Sequence, residues 1–290
     1  MPLHLFLLIL LAAVLHATWN LVSKRAAAAG ASFVFAYRLF STVLFAPWVA
    51  YVLWFDDMTW NLAVVGFILL SSVLHLCYGL CLQRGYQAGD LSVVYPIARG
   101  TGPLLATGGA FMLLGEQATA SGLIGIACVV GGVLLIATQA RWQLFLKPQA
   151  WVGVRWGATI GVFIACYTLS DAYSVKVLGI APVVLDWMAG VGITCMMAPA
   201  AWVQRDVVRR KMRGQWKLAF IVGLLSPTAY ILVLYALRHG APVSLAAPLR
   251  ETSLMVATLA GYFILKEKVG PIRWLGCLVI LAGVVALSGH

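Results

Sequence analysis

The sequence predicts an all-α integral membrane protein of ten transmembrane helices, built from two inverted five-helix repeats. Three observations predict it. Of 290 residues 62% are hydrophobic and 10% charged, against about 25% charged in an ordinary soluble domain, and the mean hydropathy is +0.96. The apolar residues gather into ten runs near the ~20 residues that cross a ~30 Å hydrocarbon layer. The second half of the chain repeats the first at an offset of 152 residues.

The first run, 3–22, follows the leader MPLH, which has no Lys or Arg and no small-residue cleavage site after a short apolar core, so it is expected to be retained as a helix. The second, 31–54, and the loop after it carry Trp48, Trp54 and Trp60, whose indoles favour the membrane–water interface. The third, 62–82, contains His75 and Tyr78; the fourth, 91–114, contains Pro96 and Arg99. The fifth, 119–139, includes GGV at 131–133, where small residues allow helices to approach closely. The sixth, 155–176, carries Tyr167, Asp171 and Ser174, and the seventh, 183–203, has Asp186 near its start. The eighth, 218–237, holds Pro227 and Tyr230. The ninth, 242–265, encloses AAPLRETSLM with Pro248, Arg250 and Glu251, and the tenth, 272–288, includes LAGVV at 281–285. Pro96, Pro227 and Pro248 each remove a backbone hydrogen bond and free a carbonyl, which suits a kinked, moving or ligand-lining helix. The loops are too short for a soluble domain.

At the 152-residue offset Tyr78 aligns with Tyr230, Ser92 with Ser244 and Pro96 with Pro248. One residue earlier, Glu116 aligns with Glu267, Gly125 with Gly276 and Gly132 with Gly283. Shared Tyr, Pro and Glu separate this from chance similarity among Leu, Ala and Gly. The expected organisation is a first repeat over 1–140, a connecting loop over 141–152 and a second repeat over 153–290. Five spans per half is an odd number, so the second copy enters the membrane the other way up, an arrangement whose halves can expose a midplane site to either side in turn.

Two five-helix halves, HATWNLVSK at 16–24, YPIARGTGPLL at 95–105, and a GEQ or KEK turn before each half's last span resemble the EamA-type transporters of the drug/metabolite transporter superfamily. The resemblance covers the whole chain. It implies a carrier without bound cofactor, often an exporter of amino acids and related metabolites, with a cavity lined by helices 1, 3, 4, 6, 8 and 9.

Orientation follows from the basic residues, which stay on the cytoplasmic side during insertion. Alternate loops from the first onward hold 15 Lys and Arg, including Lys147, whereas the opposite loops hold only Lys176 and Arg238. Both termini, His290 included, are therefore expected outside the cytoplasm, with Asp56 and Asp57 on that outer face; several relatives keep their termini inside. The net charge of +11 sits in these loops, which fits a lipid surface in the cell's inner membrane rather than nucleic acid. The six cysteines all fall in spans without His at metal-ligand spacing, so they read as packing residues.

Charges inside a span each cost several kcal/mol unless they face protein or water. Arg250 and Glu251 must therefore point inward, and Arg99 aligns with Glu251 at an offset of 152 and with Arg250 at 151. An ion pair of Arg99 with Glu251 or Asp171 is expected, as a static lock or as one that substrate opens. At helical spacing His16, Asn20 and Lys24, His75 and Tyr78, Tyr95 and Arg99, Tyr167, Asp171 and Ser174, and Ser244 and Glu251 form polar stripes, joined by Tyr230. The substrate-binding residues expected from them are His16, Asn20, His75, Tyr78, Tyr95, Arg99, Tyr167, Asp171, Tyr230, Ser244 and Glu251. Carboxylates beside guanidinium groups suit zwitterions, so amino acids lead over cationic drugs or other metabolites as the cargo, with protons as a coupling ion through Asp171 or Glu251. No HExxH or Ser-His-Asp set lies in the spans, which argues against an enzyme, a metal site or a cofactor. A monomeric secondary carrier, exporting by alternating access, is the expectation, with a passive channel as the rival.

Overall fold

The computed structural model describes residues 1–56, 58–141, 143, 145, 148, 150–263, 266 and 268–288, without the side chains of Lys24, Ala27, Leu91 and Ser288. Asp57, Lys147, Leu265, Glu267, His290 and the Lys24 side chain of the first stripe thus lie outside the described residues.

The described residues form α1 (Leu3–Arg25), α2 (Ala31–Phe55), α3 (Leu62–Ala88), α4 (Leu91–Leu113), α5 (Ala120–Thr138), α6 (Ala150–Lys176), α7 (Pro182–Val203), α8 (Arg205–Lys211), α9 (Trp216–Arg238), α10 (Val243–Arg250), α11 (Thr252–Phe263) and α12 (Pro271–Ser288). Polar caps start several of them: Asn61 accepts from the Val64 amide, Asp90 from Ser92 and Thr119 from Gly122, each supplying an acceptor to an otherwise unpaired N–H.

Seven helices, α1, α2, α3, α5, α6, α7 and α9, are long and apolar enough to cross a membrane. The chain is a multi-pass membrane protein. The expected fourth span is a 23-residue helix that carries Pro96, Pro103 and Arg99, and its polarity keeps it out of that set. The expected ninth is broken: α10 ends at Arg250, Glu251 lies in a turn whose amide donates to the Pro248 carbonyl at 2.9 Å, and α11 begins at Thr252. The last apolar stretch, Pro271–Leu287, is shorter than the others. Two further differences concern charge. Arg155 falls inside α6, which starts at Ala150, and much of the basic loop after α7 forms the short surface helix α8.

Glycine positions fix how the helices meet. A Cβ on Gly132 would lie 2.7 Å from the Gly276 carbonyl oxygen, and one on Gly125 would lie 3.1 Å from that of Gly283. The reciprocal approaches from Gly276 and Gly283 are 2.9 Å and 2.8 Å. As residue numbers rise along α5 they fall along α12, so the two helices run antiparallel at backbone contact. Gly153, Gly157 and Gly161 of α6 likewise lie against Val93, Ile97 and Thr101 of α4, with numbers rising together, so this pair runs parallel. The packing also pairs α1 with α9, α3 with α6 and α2 with α7. In a membrane, where lipid tails are as apolar as Leu, such small-residue seams are what lets dispersion hold helices together.

Gly132→Val is therefore expected to lower stability by at least ~1–3 kcal/mol, the usual cost of overpacking, because the new atoms would meet the Gly276 carbonyl and the Ile280 amide as well as the Ile280 side chain. Gly131→Val, one residue away with nothing within 4 Å of its Cβ, should change little. Thermal unfolding of the two variants in detergent checks the pair.

Trp48, Trp54 and Trp60 are exposed, as are Leu7, Leu11, Val43, Leu69, Ile124 and Leu278. An apolar outer surface of this extent suits lipid contact.

Candidate functional site

The polar side chains converge where α3, α6, α9 and the α10–α11 break meet. Asp171 on α6 is 0% exposed. Its Oδ2 lies 3.0 Å from His75 Nε2 on α3 and accepts a short hydrogen bond from the Tyr230 hydroxyl on α9, while Oδ1 is buried without a partner among the described residues. The Tyr167 ring, one turn before Asp171, stacks on the His75 ring at 4.2 Å between centroids and meets Tyr78 edge-on at 5.6 Å. The spacing of 75 and 78 on α3, and of 167 and 171 on α6, puts each pair on one helix face. Those faces look at each other.

A second group lies beside it. Arg99 on α4 donates from one terminal nitrogen to Glu251 Oε1 at 3.3 Å and from the other to Ser253 Oγ at 3.2 Å. Its Nε approaches Glu251 Oε2 at 3.1 Å, within ion-pair distance but without hydrogen-bond alignment. The Arg99 guanidinium carbon lies 5.7 Å from the Tyr95 ring centre. Of the two expected partners for Arg99, the structure selects Glu251, and Asp171 is held by His75 and Tyr230 instead.

Arg250 differs from Arg99. Its guanidinium carbon sits 5.3 Å from the Tyr230 ring centre, and among the described residues no carboxylate lies within the 4.0 Å that would make an ion pair. It borders a small void with Thr168, Tyr230, Val233, Ala246 and Ala247. Arg250 was legible as an inward charge, but not as the guanidinium left without a counter-ion.

The remaining expected residues do not all join the cluster. His16 packs edge-on against Trp19 at 5.0 Å and lies within electrostatic reach of Arg99 and Arg250. Asn20 is exposed and donates to the carbonyl of His16 at 2.8 Å. Ser174 is buried and donates back to Ser170 of its own helix. Ser244 stands at the first turn of α10, two turns from Glu251, and its amide donates to Glu116 Oε2 at 2.9 Å.

Glu116, from the GEQ turn, was not expected to bind anything. Its Oε1 accepts from the Val243 amide at 2.7 Å and from Lys176 Nζ at 3.2 Å, so one carboxylate caps α10 and ties it to the end of α6. Burial pushes the Glu116 carboxyl upward, but hydrogen bonds from Ser244 and Val243 and the charge of Lys176 outweigh this and hold it below the usual carboxylate range. A depressed carboxyl contributes stability that is fully present above its unfolded-state pKa and is lost as pH falls through the folded one. Glu116→Ala is thus expected to cost ~1–2 kcal/mol at neutral pH, in the range of a lost helix cap. The gap from the parent protein should begin to narrow at about pH 4, where an ordinary glutamate is protonated, and close only as pH falls through the lower folded-state value; unfolding curves at several pH values measure it.

The EamA-like transporter family matches residues 5–138 and again 151–289. The chain is 24% identical over 287 residues to the uncharacterized transporter YwfM of Bacillus subtilis (strain 168), covering 97% of this chain and 93% of that one. It is also 24% identical over 267 residues to a protein of Listeria innocua serovar 6a named as a candidate sugar uptake protein, covering 87% and 88%. One crystal structure superposes with a TM-score of 0.74 at 15% identity over 98% of both chains, a likeness of fold alone.

Proposed function

Because the chain belongs to the EamA-like transporter family, which matches it twice and over nearly its whole length, we propose that it is a secondary carrier that exports amino acids across the inner membrane by alternating access. The halves 1–140 and 153–290 are the moving units, and the polar cluster between them is the binding site. Ten spans in two inverted repeats suit the packing directions: α5 and α12 occupy matched places in the two halves, yet run antiparallel at the Gly125–Gly283 and Gly132–Gly276 contacts.

The observation that carries the substrate class is Arg250, whose guanidinium lies over the Tyr230 ring at the border of a small void with no carboxylate within ion-pair distance among the described residues. A carboxylate from the ligand would supply the missing charge through a two-pronged hydrogen bond. The Asp171 carboxylate nearby would receive an ammonium group, and Tyr78, Tyr167 and Tyr230 would contact the side chain. Protons are the coupling ion in this reading, and the carrier works as a monomer.

A second cargo, a neutral sugar, is favoured by the name of the Listeria relative and by aromatic faces and hydroxyls that would suit a sugar ring. The test is a panel of radiolabelled amino acids and sugars on purified protein in liposomes, with the pH gradient varied. Saturable exchange of amino acids with no competition by sugars supports the first reading; exchange of sugars alone overturns it, and unsaturable flux of both would indicate a channel.

The loop charges favour termini outside the cytoplasm. A reporter that is active only in the cytoplasm, fused after the last residue, is expected to stay dark; strong signal would reverse the orientation.

A further inference from the structure

Arg38 and Asp186 are ionisable groups within the helices that the substrate site leaves unused. Asp186 on α7 is 8% exposed and Ser71 on α3 is 1% exposed. With Arg38 of α2, His75 of α3 and Tyr230 of α9 they line a small void with room for about one water. The Ser71 hydroxyl has no hydrogen-bond partner among the described residues, although a buried hydroxyl ordinarily finds one. Arg38 reaches the same face of α7, where its Nη1 lies 3.9 Å from a Cβ built on Gly190, one turn from Asp186. Yet no ion pair within 4.0 Å joins Arg38 to Asp186 among the described residues. Trp187 holds the spacing, donating from its indole to the Thr42 carbonyl at 2.7 Å.

We propose that Arg38, Ser71 and Asp186 enclose a hydrated proton site that loads and unloads Asp171 through His75. The inference rests on the proton-coupled reading above and gives it a route. A water in this void has the two to four polar partners that such sites need: the Ser71 hydroxyl, the Asp186 carboxylate and the Arg38 guanidinium. His75 borders the void and binds Asp171 Oδ2 through Nε2, while its Nδ1 has no partner among the described residues. A proton given up by Asp186 passes through the water to Nδ1, and the proton on Nε2 passes to Asp171 Oδ2. Asp186 ends as the carboxylate, the imidazole ends neutral with its proton on Nδ1, and Asp171 ends as the neutral acid. The reverse sequence discharges it. The charged and titratable groups facing Asp186 are Arg38 from α2, His75 from α3, Asp171 from α6 and Tyr230 from α9; the basic residues of α8 lie at the far end of α7.

The experiment reads protons and substrate separately. Protein in liposomes loaded with pyranine alone is given a radiolabelled amino-acid mixture and luminal pH is followed during net uptake of the label, while liposomes preloaded with the unlabelled mixture report label exchange. The unchanged protein should move protons with the label. Asp186→Asn should cut proton movement at least about tenfold, the scale of losing a positioned proton-transfer group, while exchange of label stays near that of the unchanged protein. Ser71→Ala, which removes a water ligand without touching an ionisable group, should slow proton movement in the same direction and serves if Asp186→Asn does not fold. Proton movement at the original rate in both variants overturns the inference while leaving proton coupling intact. Loss of exchange in Asp186→Asn also overturns it, since Asp186 would then be a substrate contact or a structural group. No proton movement with the unchanged protein removes the coupled reading itself, and the inference with it.

Discussion

Arg250→Gln is expected to raise the substrate concentration needed for half-maximal transport by about 10- to 100-fold, the equivalent of the ~1.5–3 kcal/mol that a hydrogen bond to a charged group contributes. The reason lies in what Arg250 lacks. Arg99 already has Glu251 at 3.1 Å, so removing Arg99 disturbs an internal pair. Arg250 lies over the Tyr230 ring at 5.3 Å with no carboxylate within ion-pair distance among the described residues, so its removal breaks no ion pair and should disturb folding less than removal of Arg99. Arg250→Lys separates charge from shape: a compact ammonium keeps the attraction but loses the planar fork that fits a carboxylate. It should fall between the parent protein and Arg250→Gln. Concentration dependence of exchange in liposomes, with each variant's thermal stability in detergent, measures both effects. If Arg250→Gln transports with unaltered half-saturation, the carboxylate anchor lies elsewhere and the amino-acid reading loses its main support.

The Arg99–Glu251 pair was legible because the repeat itself carries it: 99 and 251 are one offset apart, and charges in apolar runs have few places to go. The contacts of Asp171 were half legible. The stripe of 167 and 171 gave the face of α6, but His75 and Tyr230 reach it from helices whose rotation no single sequence fixes. Ser244 lies two turns before Glu251, at the start of α10 beside Glu116, a depth along the helix that a shared face does not specify. Arg38 and Asp186 were hidden for another reason: each is a single charge with no ionisable neighbour at helical spacing on its own helix, and only the packing of α2 on α7 brings them to one void. The GEQ turn carried the family resemblance, yet its capping of α10 is a contact across 127 residues that local pattern does not encode.

Glu251→Gln is expected to produce the largest loss in gradient-driven transport, at least about tenfold, with exchange falling much less. The pair it breaks spans α4 and the α10–α11 break, hence the two halves. Glu251 is 5% exposed and Arg99 has only 18% of its side chain exposed, so removing the carboxylate leaves a poorly hydrated guanidinium, a change that typically costs ~3–5 kcal/mol for a buried pair. In the proposed cycle, closure of the halves forms the pair and keeps Glu251 ionised, whereas opening frees it to take a proton. The amide introduced by Glu251→Gln could still hydrogen-bond Arg99 but could neither hold a charge nor lose a proton, so proton movement that depends on Glu251 should stop and only the route through Asp171 should remain. Exchange, which returns the carrier loaded in both directions, requires no such step. Because the stranded Arg99 also weakens folding, Arg99→Gln with Glu251→Gln belongs beside the single change: the double variant should recover stability, as coupled neighbours do, without recovering response to the gradient. Should Glu251→Gln respond fully to the gradient, Glu251 is a structural partner of Arg99, and Asp171→Asn becomes the deciding variant. If that also responds fully, the protein is a facilitator that moves its substrate without protons.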